Sequence, residues 1–215
     1  MLIVGAKGFA KEVLEVLHQL KQLDNLVFYY DVNDDVPAFL YGQFPVLKSK
    51  EAAAHYFKTV DSCFTIGIGN PILRKKMALE FQAIGGCFTS TISPLAQIGH
   101  YGNIISEGSN IMTGTVITND VKIGVGTLIN LNCTVGHDSK IGDFTELSPG
   151  VHISGNCTVG NYCNIGTNAT ILPKITLGKN VIVGAGSVVT KDVPDNCLVV
   201  GVPALIKKEL PKIEF

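Results

Sequence analysis

The sequence predicts a small parallel α/β domain followed by a triangular parallel β-solenoid. Three observations predict it: strand and helix patterns alternate in the first part of the chain, aliphatic residues then recur every six positions, and the charge density changes between the two. Only nine Asp, Glu, Lys or Arg residues lie between residues 92 and 190, while the rest of the chain holds 26. We therefore expect an N-terminal domain over residues 1–88, a solenoid over 89–200 and a C-terminal tail over 201–215.

The first part of the chain alternates strand and helix signals. The run MLIVG predicts a buried strand that ends in a glycine turn, and residues 8–23 carry an apolar stripe with helical spacing. LVFYYD predicts a second strand, residues 49–57 a helix with a serine cap, CFTIGIG a third strand, and residues 71–84 a helix that opens with proline. GCFTSTI predicts a last strand that leads out of the domain. This alternation is typical of a small Rossmann-like sheet.

The second part of the chain repeats every six residues. One large aliphatic and one small residue per hexad describe a short strand plus a turn, and three hexads form one coil of a triangular solenoid. Three of the six cysteines occupy the small position, so we expect them to be buried thiols without a chemical role. The fourteen successive aliphatic positions are Ile111, Ile117, Ile123, Ile129, Val135, Ile141, Leu147, Ile153, Val159, Ile165, Ile171, Leu177, Val183 and Val189.

The composition argues against several classes of function. Charged residues make up 16% of the chain, the formal net charge is −1, and Arg74 is the only arginine, so nothing marks a surface for nucleic acid or anionic membranes. The sequence shows no apolar run of transmembrane length, no signal-peptide pattern and no C-x-x-C pair. We expect a cytoplasmic protein that binds no metal, nucleic acid or membrane.

Five segments of the sequence together resemble a known family. MLIVGAKGFAKEVLEVL, FTIGIGNPILRKK, the hexads, the tripeptide GHD and the terminal VVGVPA resemble the sialic-acid O-acetyltransferase family, which includes bacterial N-acetyltransferases of nucleotide-linked 4-amino-sugars. The resemblance spans essentially the whole chain. It implies a left-handed β-helix, a handedness that the six-residue period alone does not give. It also implies a homotrimer with acetyl-CoA in the groove between neighbouring β-helices.

The tripeptide GHD supplies the candidate catalytic residues. Val135 is an inward aliphatic position, so His137 lies two residues further on, at a turn outside the core. The equivalent residues one and two coils later are Gly155 and Pro173, so His137 projects from an edge of small residues. The family's general base matches His137, and imidazoles, which titrate near neutral pH, suit the removal of a proton from an attacking amine or hydroxyl. Asp138 matches a commonly acidic family position and is expected to hold the ring.

The family resemblance implies the position of the coenzyme site. Matching positions imply that Glu146, Gly155, Thr167 and Ala185 line the groove for the pantetheine arm of the coenzyme. The resemblance also implies that a backbone N–H near Gly155 faces the tetrahedral oxyanion. Close relatives often have a histidine at the position of Glu146, and this departure leaves the role of that side chain open.

A site for the sugar nucleotide is expected at the carboxyl ends of the N-terminal strands. The turn GAKGFAKE joins a strand to a helix, and its N–H groups suit a phosphate, although it lacks the dinucleotide fingerprint G-x-G-x-x-G. Relatives use this turn for the sugar nucleotide. The acid that ends the second strand either binds a ribose or uracil edge or caps a turn. The predicted substrate-binding residues, which should converge on one crevice, are Gly5, Lys7, Gly8, Phe9, Asp31, Gly69 and Asn70.

Several functions stay open at this stage. The leading hypothesis is an acetyl-CoA-dependent N-acetyltransferase that acts on a nucleotide-linked amino-sugar, of the 4-amino-4,6-dideoxy type, in surface-glycan biosynthesis. The alternative is O-acetylation of sialic acid or another sugar with the same fold and donor. A non-catalytic β-helix scaffold is disfavoured by the presence of His137. A γ-type carbonic anhydrase needs histidines in H-x4-H spacing, which this chain lacks.

Overall fold

The computed structural model describes residues 1–33 and 35–214, so Phe215, the last residue of the predicted tail, lies outside the described residues. The N-terminal elements are β1 Leu2–Val4, α1 Gly8–Gln19, β2 Val27–Tyr29, β3 Phe39–Leu40, β4 Phe44–Leu47, α2 Lys50–Thr59, β5 Cys63–Ile66, α3 Pro71–Ala83 and β6 Cys87–Phe88. They form one sheet in the order β3-β4-β2-β1-β5-β6. Only β3 runs antiparallel to its neighbour; the other pairs are parallel. The carboxyl ends of β1, β2 and β5 therefore meet at one edge.

Local capping sets the helix boundaries in this domain. The Ser49 hydroxyl accepts a hydrogen bond from Ala52 N–H at 3.2 Å and begins α2, as the sequence predicts. Helix α1 ends at Gln19, earlier than the apolar stripe predicts, because Lys21 adopts a left-handed φ of 58° that the helix cannot continue through. Strands β3 and β4 are absent from the prediction, because both are short and Pro45 interrupts the apolar pattern of β4.

Residues from Thr91 onward form a parallel β-helix with three faces, and equivalent strands pair 18 residues apart, as Thr134 with His152. The first face contains β7 Thr91–Ile92, β10 Asn110–Ile111, β13 Leu128–Ile129, β16 Glu146–Leu147, β19 Asn164–Ile165, β22 Ile182–Val183, β24 Cys197–Gly201 and β25 Ala204–Glu209. The second face contains β8 Gln97–Ile98, β11 Val116–Ile117, β14 Thr134–Val135, β17 His152–Ile153, β20 Thr170–Ile171 and β23 Val188–Val189. The third face contains β9 Ile104–Ile105, β12 Lys122–Ile123, β15 Lys140–Ile141, β18 Thr158–Val159 and β21 Thr176–Leu177.

The β-helix begins one coil before the repeat that the sequence shows. Ile92, Ile98 and Ile105 pack against its core in the first coil. The step from Ile98 to Ile105 is one residue longer than a hexad, so a strict six-residue repeat extends back only to Ile105 and loses Ile98 and Ile92. The turn after β8 accommodates the extra residue, and Gly102 in that turn adopts a φ of 68°. The predicted strand at residues 86–92 consequently divides into β6 of the sheet and β7 of the β-helix.

The small inward positions hold thiols that packing alone explains. Cys133, Cys157 and Cys163 are fully buried in the core of the β-helix. Burial raises the pKa of Cys133 to about 11 and the pKa of Cys163 to about 12. Protonated thiols of this kind are neither nucleophiles nor metal ligands at neutral pH.

The C-terminal end of the β-helix is an antiparallel hairpin. β24 continues the first face, and β25 pairs back onto β24. The predicted division between residues 200 and 201 falls within β24, and the first part of the predicted tail contains β25.

One buried arginine joins the N-terminal domain to the β-helix. Arg74 lies on α3 with 1% of its surface exposed. Its Nε donates to the Gly126 carbonyl at 3.1 Å, its Nη2 to the carbonyls of Phe144 at 2.8 Å and Thr145 at 3.0 Å, and its Nη1 to the Gly69 carbonyl. Burial lowers the pKa of Arg74 to about 10. A charge buried this far from solvent is tolerated because its N–H groups donate hydrogen bonds to carbonyl oxygens.

Two further contacts complete the junction between the domains. Thr65 Oγ1 donates to Asn110 Oδ1 at 2.9 Å, and Asn110 Nδ2 donates to the Ile66 carbonyl at 2.8 Å. A row of stacked rings then runs from the sheet onto the corner between the third and first faces, with neighbouring centroids 5.2 to 6.5 Å apart: Phe64, Phe88, Phe144 and Tyr162. The N-terminal domain therefore covers part of the first face and that corner.

Arg74→Ala is expected to lower the free energy of unfolding by about 3–5 kcal/mol, because the change leaves four carbonyls in the junction without their hydrogen-bond donor. Urea unfolding followed by circular dichroism measures this. Lys76→Ala on the same helix is the control, since its side chain is 67% exposed and makes one ion pair, 3.9 Å from Glu80, which should contribute under about 1 kcal/mol. Equal losses in the two variants would show that Arg74 does not hold the domains together.

Candidate active site

The His137–Asp138 pair forms at the turn that follows β14, between the second and third faces. His137 Nδ1 lies 2.7 Å from Asp138 Oδ2. Neighbouring side chains on an extended chain point apart, but Asp138 adopts a left-handed φ of 59°, which returns its carboxylate to the ring. A carboxylate only accepts hydrogen bonds, so the neutral tautomer that fits this contact carries its proton on Nδ1 and its lone pair on Nε2. The ring faces solvent, with 62% of the His137 side chain exposed.

Gly155 lies beneath the His137 ring, one coil further along the same corner. A Cβ atom at Gly155 would lie 2.6 Å from His137 Nε2, so only glycine leaves the ring in place. Asn156 N–H donates to the His137 carbonyl at 2.8 Å, and Lys174 N–H donates to the Gly155 carbonyl at 3.1 Å, which ties successive coils together. The Gly155 N–H itself makes no hydrogen bond with the described residues. This corner thus offers a free base nitrogen and a free backbone donor.

The other residues predicted for the coenzyme lie elsewhere on the β-helix. Thr167 and Ala185 are exposed and follow β19 and β22 at the corner between the first and second faces, where Gly186 N–H donates to the Thr167 carbonyl at 2.8 Å. They and Gly155 border opposite edges of the second face. Glu146 lies apart from both corners, on the first face beside Gly69.

A cavity of about 390 Å³ opens at the carboxyl ends of β1, β2 and β5. Asn70, also predicted to bind substrate, is not part of its lining: its Oδ1 accepts a hydrogen bond from Leu73 N–H at 3.0 Å and caps α3. The lining is otherwise largely apolar and includes Ile68, Leu73 and Met77. Six of the seven predicted substrate-binding residues line the cavity: Gly5, Lys7, Gly8, Phe9, Asp31 and Gly69.

Charged groups stand at the mouth of this cavity. Lys7 precedes α1, and its Nζ lies 2.5 Å from Asp35 Oδ2 and 5.2 Å from the centroid of the Tyr30 ring. The hydrogen bond that Lys7 donates to Asp35 raises the pKa of Lys7. Across the mouth, Tyr29 Oη donates to Asp31 Oδ2 at 2.6 Å, and burial together with this carboxylate raises the pKa of Tyr29. Asp31 is therefore held as an oriented acceptor.

The cavity and His137 lie on opposite sides of the β-helix within one chain. The N-terminal domain covers part of the first face, from Gln19 against Thr113 at its corner with the second face to Arg74 and the row of stacked rings at its corner with the third face. His137 projects from the corner between the second and third faces, which is opposite the first face in a three-sided prism. One chain by itself does not bring the base to the cavity.

Neither a metal-ligand cluster nor a membrane-spanning helix is found in the part of the chain that the structure describes. Across residues 1–33 and 35–214, no three His, Cys, Asp or Glu side chains converge as a metal site. Nor does any helix within those residues have the length and apolar character needed to cross a membrane.

Sequence reasoning missed the residues that hold this site in shape. Arg74 lies on the same helical stripe as the buried Ala78 and Phe81. A single arginine on an apolar helix face could therefore have indicated a buried, hydrogen-bonded guanidinium. Tyr29 precedes Asp31 by two residues, and side chains two apart in a strand share a face, so their contact was also open to prediction. The sequence did not indicate the apolar residues that line the cavity, because they come from the ends of different elements.

Two family models match separate parts of the chain. The PglD N-terminal domain matches residues 1–81, and the bacterial transferase hexapeptide model (six repeats) matches residues 132–173 and 156–191. The first match lies in the α/β domain and the second in the β-helix.

Solved structures resemble the chain over almost its entire length. A mutant perosamine N-acetyltransferase from Caulobacter crescentus, in complex with CoA and GDP-perosamine, is 31% identical with a TM-score of 0.89, over 97% of this chain and 96% of that chain. WeeI from Acinetobacter baumannii AYE is 33% identical with a TM-score of 0.87, over 96% and 98%. The acetyltransferase domain of PglB from Neisseria gonorrhoeae FA1090, in complex with acetyl coenzyme A, is 30% identical with a TM-score of 0.85, over 96% and 98%. The predicted fold class, an α/β domain followed by a left-handed β-helix, is confirmed.

Gly155→Ala is expected to move the His137 imidazole away from its present position without unfolding the chain, because the clashing atoms belong to an exposed side chain. Correlation spectra of the five histidine rings measure this, and only the His137 resonances should shift strongly. Gly8→Ala is the control, since a Cβ atom there meets nothing within 4 Å. Unchanged His137 resonances in Gly155→Ala would show that the ring does not rest on Gly155.

Proposed function

The chain belongs to the hexapeptide-repeat acetyltransferases of nucleotide-linked amino-sugars, and we propose that it transfers the acetyl group of acetyl-CoA to the amine of such a sugar. The observation that carries this is the resemblance, over 97% of the chain at 31% identity, to an enzyme bound to CoA and GDP-perosamine. The family, the acyltransferase class and the coenzyme that the sequence predicts are thereby confirmed.

His137 acts as the general base in this proposal. The neutral amine attacks the thioester carbonyl carbon, the C–S bond breaks, and the nitrogen gives one proton to His137 Nε2. The proton then passes to the departing thiolate of CoA, which leaves as the free thiol. Asp138 holds Nδ1–H at 2.7 Å and stabilises the imidazolium while the proton resides on the ring.

The backbone around Gly155 serves the thioester. Its unpaired N–H lies under the His137 ring and is suited to donate to the oxyanion of the tetrahedral intermediate. Thr167 and Ala185 border the far edge of the second face, where we place the pantetheine arm. The outward positions of the second face between these edges are Val116, Thr134, His152, Thr170 and Val188, none of which is Asp, Glu, Lys or Arg, and this suits the neutral amides of pantetheine.

The cavity of the N-terminal domain holds the sugar nucleotide in this proposal. The diphosphate lies against Lys7 and the N-terminal N–H groups of α1, where a cation and the helix dipole both favour negative charge. Asp31, held by Tyr29, accepts hydrogen bonds from the ribose or the base. Leu73 and Met77 line the cavity near Gly69 and suit the methyl group of a 4-amino-4,6-dideoxy sugar.

The opposite placement of base and cavity supports a shared site in a homotrimer. Within one chain the β-helix separates His137 from the cavity, so the acceptor must meet the His137 of a second copy. A cyclic trimer of parallel β-helices presents the same two surfaces to each other at every interface and closes without free ends. Acetyl-CoA then lies in the groove between neighbouring β-helices.

We place the reaction in the cytoplasm, as a step in surface-glycan biosynthesis. Sugar nucleotides and acetyl-CoA are made in that compartment. The six cysteines are all unpaired in the structure, as is usual for proteins of a reducing compartment.

His137→Ala is expected to lower turnover about 10²–10⁴-fold, because the attacking amine loses its base. A thiol-release assay with acetyl-CoA measures turnover against GDP-, UDP- and dTDP-linked 4-amino-4,6-dideoxy sugars, with sialic acid alongside. Acetyl-CoA affinity and oligomeric state should remain those of the wild type. Full turnover in His137→Ala would show that His137 is not the general base. Release of the CoA thiol by the wild type with sialic acid alone would indicate O-acetylation in place of N-acetylation.

Two inactive variants are expected to restore activity when they share one trimer. His137→Ala lacks the base, and Gly69→Trp fills the cavity, so each is inactive alone. If each site takes its cavity and its base from different copies, co-expressed subunits should regain about a quarter of wild-type turnover, since both halves are intact at one site in four. The thiol-release assay on purified hybrids measures this. No recovery in hybrids would place the cavity and His137 of the same chain in one site.

A further inference from the structure

Glu146 stands at the edge of the area that the N-terminal domain covers on the first face. The outward positions of this face run through Leu128, Glu146, Asn164 and Ile182 in successive coils. Leu128 is fully covered at 1% exposure and Ile182 is open at 37%, whereas 14% of the Glu146 side chain is exposed. Glu146 therefore forms part of the wall where the N-terminal domain meets the free surface of the β-helix.

The carboxylate of Glu146 is close to a cation but accepts no hydrogen bond from the described residues. Arg74 Nη1 lies 3.9 Å from Oε2, beyond hydrogen-bonding distance, and the guanidinium donates to backbone carbonyls instead. Burial raises the pKa of Glu146, and the nearby guanidinium opposes that rise. A largely buried carboxylate with open acceptor positions is costly in a protein unless a ligand fills them.

Gly69 links this carboxylate to the cavity. It lines the cavity, and a Cβ atom built on it would lie 3.4 Å from both carboxylate oxygens of Glu146. A larger side chain at residue 69 would stand between the carboxylate and the cavity. Lys7 marks the mouth of the same cavity, so a sugar nucleotide with its diphosphate at Lys7 directs its sugar inward, toward Gly69 and Glu146.

We propose that Glu146 selects the acceptor by accepting a hydrogen bond from its amino group. The inference rests on the proposed function and assigns Glu146 to the acceptor, whereas the family resemblance had assigned it to the coenzyme. A neutral amine has two N–H bonds: one proton goes to His137 as the C–N bond forms and the C–S bond breaks, and the other stays bonded to nitrogen and donates to Glu146. A hydroxyl has only one proton, so it cannot serve both groups. Glu146 thus favours amines over hydroxyls and holds the nitrogen lone pair toward the thioester.

Binding of paired sugar nucleotides tests this independently of turnover. Titration calorimetry compares GDP-perosamine with GDP-rhamnose, and dTDP-4-amino-4,6-dideoxyglucose with dTDP-6-deoxyglucose, which differ only in an amine or a hydroxyl at C4. The wild type should prefer the amine of at least one pair about 10–100-fold, and Glu146→Gln should lose that preference, because its amide can donate to a hydroxyl as well as accept from an amine. A wild type without any preference, or a preference that survives in Glu146→Gln, would overturn the inference.

Kinetics separate acceptor recognition from a role in the coenzyme site or in the fold. Glu146→Gln should lower kcat/KM for the amino-sugar about 10–100-fold and leave the Kd of acetyl-CoA within about twofold. Glu146→Asp keeps the charge near Arg74 but withdraws the carboxylate from Gly69, so it should be impaired as strongly. Asn164→Ala, one coil away on the same face, is the matched control and should behave as the wild type.

Each contrary result has a distinct meaning. Weakened acetyl-CoA binding with unchanged acceptor binding would assign Glu146 to the coenzyme and overturn the inference. If Glu146→Asp had the kcat/KM of the wild type and Glu146→Gln had a lowered Tm, Glu146 would act only as a charge partner of Arg74. That result would also overturn the inference. Absence of turnover in the wild type, with the preference for amines still lost in Glu146→Gln, would reject the proposed function and leave the recognition of amines by Glu146 standing.

Discussion

The buried guanidinium of Arg74 is the interaction on which the rest of the structure depends. Its donors reach carbonyls from the N-terminal domain at Gly69 and from the β-helix at Gly126, Phe144 and Thr145. A planar fork of N–H groups serves several acceptors at once, which a lysine ammonium does less well. By fixing α3 against the β-helix, it also sets where Gly69, and with it the end of the cavity, meets the first face.

The 18-residue coil is the second constraint, because it stacks equivalent residues directly above one another. A side chain at one corner therefore occupies space over the same corner of the next coil, as His137 does over Gly155 and Phe144 over Gly126. The residue that the side chain covers must be small, and the same stacking holds the three faces and corners of the prism at fixed separations. A base on one corner and a cavity docked to the opposite face cannot approach each other by local motion, which is why the chemistry is proposed to use two copies.

Two carboxylates near the proposed chemistry have different surroundings and accordingly different roles. Asp138 is 55% exposed and lies 2.7 Å from an imidazole nitrogen that it orients. Glu146 is largely buried, and burial pushes its pKa upward against the pull of Arg74. One carboxylate is suited to stabilise a transient positive charge, and the other to recognise a donor on the substrate.

The sequence by itself determined the fold class, the inward columns of the β-helix and the position of His137 at a turn, because each follows from short-range periodicity that repeats along the chain. It also placed six residues on one cavity, since the carboxyl ends of parallel strands converge. Only the tertiary structure decided that Asp138 turns back to His137, that Asn70 caps a helix, and that the first coil begins at Thr91 behind a seven-residue step. It alone showed Glu146 facing Gly69, and the base and the cavity on opposite sides of the prism. The last two depend on contacts between residues more than fifty positions apart, such as Arg74 with Gly126 and Gly69 with Glu146, for which a local pattern carries no information. The first three depend on a backbone turn, a helix cap and an inserted residue, which an apolar periodicity does not encode.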